Sequence, residues 1–120
     1  MTRAPSEQLR IGLSEEDGAT VVRLAGDAGF RHADRLADAL AAVAARRPTA
    51  VVFDLSRLDF ISSLAIGVLV TFKYRLARQG GTMALVRVPP RVEQALRVAR
   101  VFDDVILTNG TRVRVNSPSL

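Results

Sequence analysis

Cysteine is absent from this 120-residue chain, which excludes a disulfide framework and any thiolate metal site and makes the reducing cytoplasm the expected compartment. Long apolar runs are missing as well. The longest, near Leu64 to Phe72, falls well short of the roughly 20 residues of a membrane span, and the N-terminal MTRAPSEQLR has no apolar core of the secretion-signal kind, so no membrane insertion is expected. Lysine is nearly absent: sixteen of the seventeen basic residues are arginine, with Lys73 the exception. The formal charge of +5 raises the question of a nucleic-acid partner. The arginines are spread along the chain, aromatics make up only 5%, and no nucleic-acid-binding module is recognisable, so no nucleic-acid binding is expected.

The usual marks of enzyme chemistry are also lacking. No G-x-x-x-x-G-K-[ST] phosphate cradle, G-x-G-x-x-G fingerprint or G-x-S-x-G elbow occurs, so neither an enzyme nor a bound cofactor is expected. His32 is the only histidine, and Asp27, Asp34 and Asp38 stand near it in the chain. Its place in the first turn of an amphipathic helix points it to water rather than to a metal. Asp34 and Asp38, one turn apart beside Arg31 and Arg35, read as a solvated charged face.

What is present is enough apolar residue, 48%, for one globular domain with one core. Leu9, Ile11 and Leu13 alternate with polar residues; Glu15-Glu16-Asp17-Gly18 supplies turn chemistry, and Val21 to Leu24 forms a second β-type run, predicting an opening hairpin. Phe30, Ala33, Leu36, Ala37, Leu40, Val43 and Ala44 fall at helical spacing, closed by Arg46-Arg47 and Pro48. Ala50 to Leu55, AVVFDL, has the near-continuous apolarity of a central strand, with Asp54 its one polar member. After a link over 56–61, a second helix is predicted from the serine pair to about Gln79, with Gly80-Gly81 as its left-handed stop. Thr82 to Val88 reads as a strand. Pro89-Pro90 opens a third helix with Val92, Ala95, Leu96, Ala99 and Phe102 inside and Arg91, Arg97 and Arg100 outside. Val105 to Leu107 begins a last strand, after which Asn109-Gly110 either turns a hairpin or lies in a trailing end. Strands separated by such helices imply right-handed parallel crossovers, hence an α/β fold: a mixed sheet with an N-terminal hairpin and about three helices packed on it.

Ser62 and Ser63 stand at the mouth of the most apolar helical run. Serine is a favoured N-cap, so one or both serve to start the helix. A phosphate there would also meet the positive helix end and its unpaired N–H donors, so the fold would tolerate it while a partner packed on that surface would not. On the residues alone both readings stand. Ile66, Gly67, Val70 and Tyr74 lie closest in angle to Ser63 along the helix. Because Leu64 to Phe72 is apolar nearly all round, part of that stripe must meet another helix or a partner.

VVFDLSRLDFISSLAIGVLV, followed by RQGGTMALVRV and VARVFDDV, resembles the STAS domain, the family that includes bacterial anti-sigma-factor antagonists. The likeness runs from about Leu9 to Leu107 and is strongest over 51–70. It implies a single domain over 8–115, with 1–7 and 116–120 as flexible tails. In that family a D-S-[ST]-G segment carries a serine phosphorylated by a cognate anti-sigma kinase; the unmodified antagonist binds the kinase and so frees a sigma factor. Ser62 falls on the family's aspartate, Ser63 on the acceptor, Leu64 on the next hydroxyl residue, Ala65 on the glycine and Gly67 on the second glycine.

The resemblance therefore implies Ser63 as acceptor, with Ser62 the second choice, and Asp54, Ser62, Leu64, Ile66, Gly67 and Val70 as the surface that meets an anti-sigma-factor serine kinase. It implies that Asp54 lies near the acceptor; on the residues alone Asp54 hydrogen-bonds the adjacent loop. Losing the family aspartate removes a negative charge before the acceptor, and Ala65 adds a methyl where the family keeps the backbone bare. The RVRVNSPSL end is too short for the further helix many members carry, which would leave a surface open for a homodimer or larger assembly. The competing expectation is a constitutive STAS subunit of a signalling complex or lipid transporter, in which the serines only cap.

Overall fold

The computed structural model of the chain describes residues 8–106. Strands β1 (Leu9–Glu16) and β2 (Ala19–Ala28) form the antiparallel hairpin, closed where Glu16 pairs with Ala19. Asp17 and Gly18 both take positive φ, 53° and 83°, the pairing that a two-residue Asp-Gly turn between twisted strands requires. β2 then leads through a 3₁₀ turn at Phe30–His32 into α1 (Ala33–Ala45), and β3 (Ala50–Ile61) returns parallel to β2. After α2 (Ser63–Arg78), β4 (Thr82–Val86) pairs parallel with β3, and α3 (Pro90–Ala99) follows. Among the described residues the sheet has the order β1-β2-β3-β4, with Ile106 adding a single parallel bridge to Leu85 at its β4 edge.

The helices and the strands bury their apolar faces against each other. Leu36, Leu40 and Val43 of α1, Leu69, Phe72 and Leu76 of α2, and Val92 and Leu96 of α3 share one cluster with Val22, Leu24, Val51, Phe53, Leu55 and Leu85 of the sheet. Phe53 and Phe72 meet edge to face, centroids 5.6 Å apart, which fixes the middle of α2 over β3. The end of α2 is a Schellman stop: the Gly81 N–H donates to the Leu76 carbonyl and the Gly80 N–H to that of Ala77, with Gly80 at φ 83°. The opposite face of the sheet holds a smaller cluster, Val21, Val52 and Val86.

Several boundaries differ from the sequence reading; α3, for one, ends at Ala99, and Phe102 is buried in the segment beyond it and not on the helix. β3 does not stop at Leu55 but continues through the expected link to Ile61, paired to the end of β2 across two register shifts. Phe30 is not part of the inner stripe of α1; it precedes the helix and is 65% exposed. β4 ends at Val86 because Arg87 turns into the left-handed region at φ 52°. Leu107, the Asn109-Gly110 turn, the RVRV segment and the terminal stretches 1–7 and 116–120 lie outside the described residues. Among the described residues no helix is long and apolar enough to cross a membrane.

Candidate functional site

The parallel strands β2 and β3 end together, Asp27 opposite Phe60 and Ala28 opposite Ile61, and α2 starts directly beyond them. The Ser62 N–H donates to the Ala28 carbonyl at 2.9 Å, so the chain entering α2 is anchored to the neighbouring strand. Ser62 is the N-cap, in extended geometry at ψ 164°, and its Oγ accepts from the Ala65 N–H at 3.1 Å. Ser62 is buried at 3% exposure, whereas Ser63, the first residue within α2, is exposed. The first-turn N–H groups of Ser63 and Leu64 have no carbonyl one turn back to receive them, as in any helix, and they lie beside the Ser63 hydroxyl. Added negative charge at Ser63 would therefore meet free donors and the positive end of a sixteen-residue helix.

The surroundings are apolar and open. Leu64, Phe60 and Phe30 are 51%, 50% and 65% exposed, and all three stand at this end of the sheet, on the start of α2, the end of β3 and the 3₁₀ turn that packs beside α2. Gly29 makes that turn possible: a Cβ on it would stand 2.8 Å from the Asp27 Oδ1 and 3.9 Å from the Phe60 ring. Asp59, next to Phe60 in the chain, is also exposed. Of the other expected contact residues, Gly67 is exposed with open space above it, whereas Ile66 and Val70 are half-buried and packed against the core. Ala65 is fully buried, so the methyl that replaces the family's glycine lies in the core and not on the surface.

Asp54 stands elsewhere. Ile61 is seven positions further along β3, roughly 20 Å of strand, and the Asp54 side chain lies on the sheet face opposite the helices, in line with Arg23 of β2. The expectation that it sits near Ser63 is not met. Its Oδ1 accepts from the Ser56 N–H at 3.0 Å, and its Oδ2 from Arg87 at 3.1 Å, with Arg23 at 3.7 Å. Burial acts to raise this carboxyl, but the Arg87 and Ser56 hydrogen bonds and the Arg87 charge outweigh it and hold Asp54 below its ordinary range. Asp34 and Asp38 are exposed, as a solvated face should be, and no group of three metal-ligating side chains occurs among the described residues.

Phe30 and Phe60 are the site residues that sequence reasoning passed over. Phe60 carried no clean signal: strict alternation would put it on the face of the buried Leu58, and it is exposed where the pairing with β2 shifts register between Leu58 and Phe60.

Comparison with known proteins agrees with this architecture. The family model of the STAS domain matches residues 10–115. The chain is similar to a putative anti-sigma factor antagonist, BtrV, of Bordetella bronchiseptica, 28% identical over 91 residues that make up 76% of this chain and 78% of that one. Its fold is similar to the crystal structure of an anti-sigma factor antagonist from Mycobacterium paratuberculosis, with a TM-score of 0.78 at 24% identity, covering 91% of this chain and 92% of that one. It is also similar to the Bacillus cell fate determinant SpoIIAA in its phosphorylated form, with a TM-score of 0.68 at 14% identity, covering 84% and 93%.

Proposed function

The chain belongs to the STAS domain family, and from that premise we propose that it is an anti-sigma-factor antagonist: a binding module that docks an anti-sigma serine kinase and is released when Ser63 is phosphorylated. One observation carries the reading. Ser63 presents a free hydroxyl at the first turn of α2, where Ser62 has already taken over the cap, among the exposed apolar side chains of Phe30, Phe60 and Leu64. Exposed aromatic and aliphatic groups of this kind supply the contact area of a protein interface, and a doubly charged phosphate in their midst would have to be desolvated for the partner to stay. The helix start absorbs the charge; the interface does not.

The test is mass spectrometry of the protein from its own cells, together with binding of Ser63→Ala and Ser63→Asp to a candidate anti-sigma kinase. Phosphate on Ser63, retained binding by Ser63→Ala and lost binding by Ser63→Asp are expected. No phosphate, and equal binding by both variants, would leave the constitutive subunit as the better description. Leu64, which stands where the family carries a second hydroxyl residue, favours that alternative.

A further inference from the structure

α1 and α2 both follow parallel strands and run side by side, yet they do not close on each other along their outer edge. Between them lies a cavity of about 240 Å³, open to solvent. Small residues create it: Ala37 and Ala41, one turn apart on α1, face Gly67 on α2, where an added Cβ would meet nothing within 4 Å. Leu64 is at the end nearest Ser63 and Arg75 at the other, eleven residues or about 16 Å along the helix axis. The lining is apolar except at that far end, where Thr71 and Arg75, spaced i and i+4, share a face. Arg75 is half-buried and makes no ion pair among the described residues.

We propose that this groove binds a small amphipathic monoanion, a medium-chain carboxylate, with its head on Arg75 and Thr71 and its chain running toward Leu64. The volume is below the roughly 300–1,000 Å³ of drug-sized sites, which disfavours a nucleotide or a large heterocycle. An alkyl chain suits an apolar trough in which small residues leave the space open above the buried side chains of Leu40 and Phe72. The head is a carboxylate because a guanidinium fork and a neighbouring hydroxyl match its two oxygens. A dianion is disfavoured because a single guanidinium, that of Arg75, lines the groove, and it stands in the last turn of α2, at the negative end of the helix dipole. This reading does not depend on the phosphorylation of Ser63, although a bound chain would end beside Leu64 and so touch the same surface.

Titration of the full-length protein with sodium decanoate, followed by calorimetry and by amide shifts in ¹⁵N-labelled protein, tests it. Saturable one-to-one binding is expected, with shifts confined to Ala37–Ala41 and Leu64–Arg75. Arg75→Gln is expected to weaken decanoate by at least about tenfold, the scale of one charge-assisted contact, while leaving the weaker binding of neutral 1-decanol unchanged. Ala41→Phe, at an exposed position, should fill the groove and abolish both, and Gly67→Leu should do the same from the α2 side. Binding that does not saturate, shifts elsewhere on the protein, or decanoate affinity indifferent to Arg75→Gln would overturn the proposal.

Discussion

At Ser62 and Ser63 two adjacent hydroxyls carry different tasks, and the backbone separates them: Ser62 is extended at ψ 164° and caps, while Ser63 is already helical and faces water. Replacing Ser62 by alanine removes the acceptor for the Ala65 N–H and should cost about 1 kcal/mol of stability in urea unfolding. Ser62→Asp keeps a capping oxygen and should cost much less. Ser63→Asp should leave stability unchanged or raise it by about 0.3–1 kcal/mol, because the new charge sits at a helix N-terminus. If the proposed function holds, the same variant loses kinase affinity, so thermal melting and binding move in opposite directions. A variant that loses both would point to simple misfolding. The serine pair was legible in the sequence as a helix start; which serine caps was not, since both satisfy the residue preference and only the backbone angle at the junction distinguishes them.

The strand β3 and the helix α2 hold the site between them, and the sequence read them unequally. The start of α2 and its glycine stop follow from side-chain type and spacing, and they stand as expected. The second half of β3 was hidden. Ser56, Arg57 and Asp59 interrupt the apolar pattern, and the pairing with β2 passes through register shifts that blur the alternation. That misreading is what concealed Phe60, and the helical spacing of Phe30 misdirected it to the core. The two elements also predict a clean separation of effects. Phe60→Ser or Phe30→Ser removes an exposed ring and should change stability by no more than about 0.5 kcal/mol; if the proposed function holds, each should also reduce kinase affinity by about tenfold or more, as loss of an interface anchor does. Leu69→Ala removes a fully buried side chain on the opposite side of α2 and should cost about 2–5 kcal/mol of stability. Its affinity, measured at a temperature where it remains folded, should be near that of the wild type. Calorimetric binding beside thermal melts of the three variants checks the division.

Across the whole sheet, the face away from the helices carries a chain of charges that touches β1, β2, β3 and the residue just beyond β4. Glu16 pairs with Arg23 at 2.9 Å, Arg23 lies 3.7 Å from Asp54, and Asp54 accepts from Arg87 at 3.1 Å. Asp54 is the one buried member, at 8% exposure, and it ties together segments far apart in the chain. This explains why a lone aspartate interrupts AVVFDL: it fastens the sheet from behind, remote from Ser63. Its carboxyl is held below its ordinary range in the folded protein, so the folded state binds its proton less readily than the unfolded chain does. The stabilisation is therefore fully present above the unfolded value near 4 and is lost as pH falls through the lower folded value. Glu16, also lowered, by its hydrogen bonds to Arg23 and Ser14, acts in the same direction from an exposed position. Asp54→Asn should cost about 1 kcal/mol at pH 7, a modest figure because Arg23 and Arg87 are largely exposed and can be solvated. As the pH falls below about 4 toward the lower folded value, the wild type should lose that advantage and the two proteins converge, whereas Ser63→Ala, which adds no titrating group, should keep a constant offset from the wild type over the same range. Urea unfolding at stepped pH distinguishes the cases. A wild-type and Asp54→Asn difference that is equal at pH 7 and pH 3 would mean that the loss comes from packing and not from the ionised carboxylate.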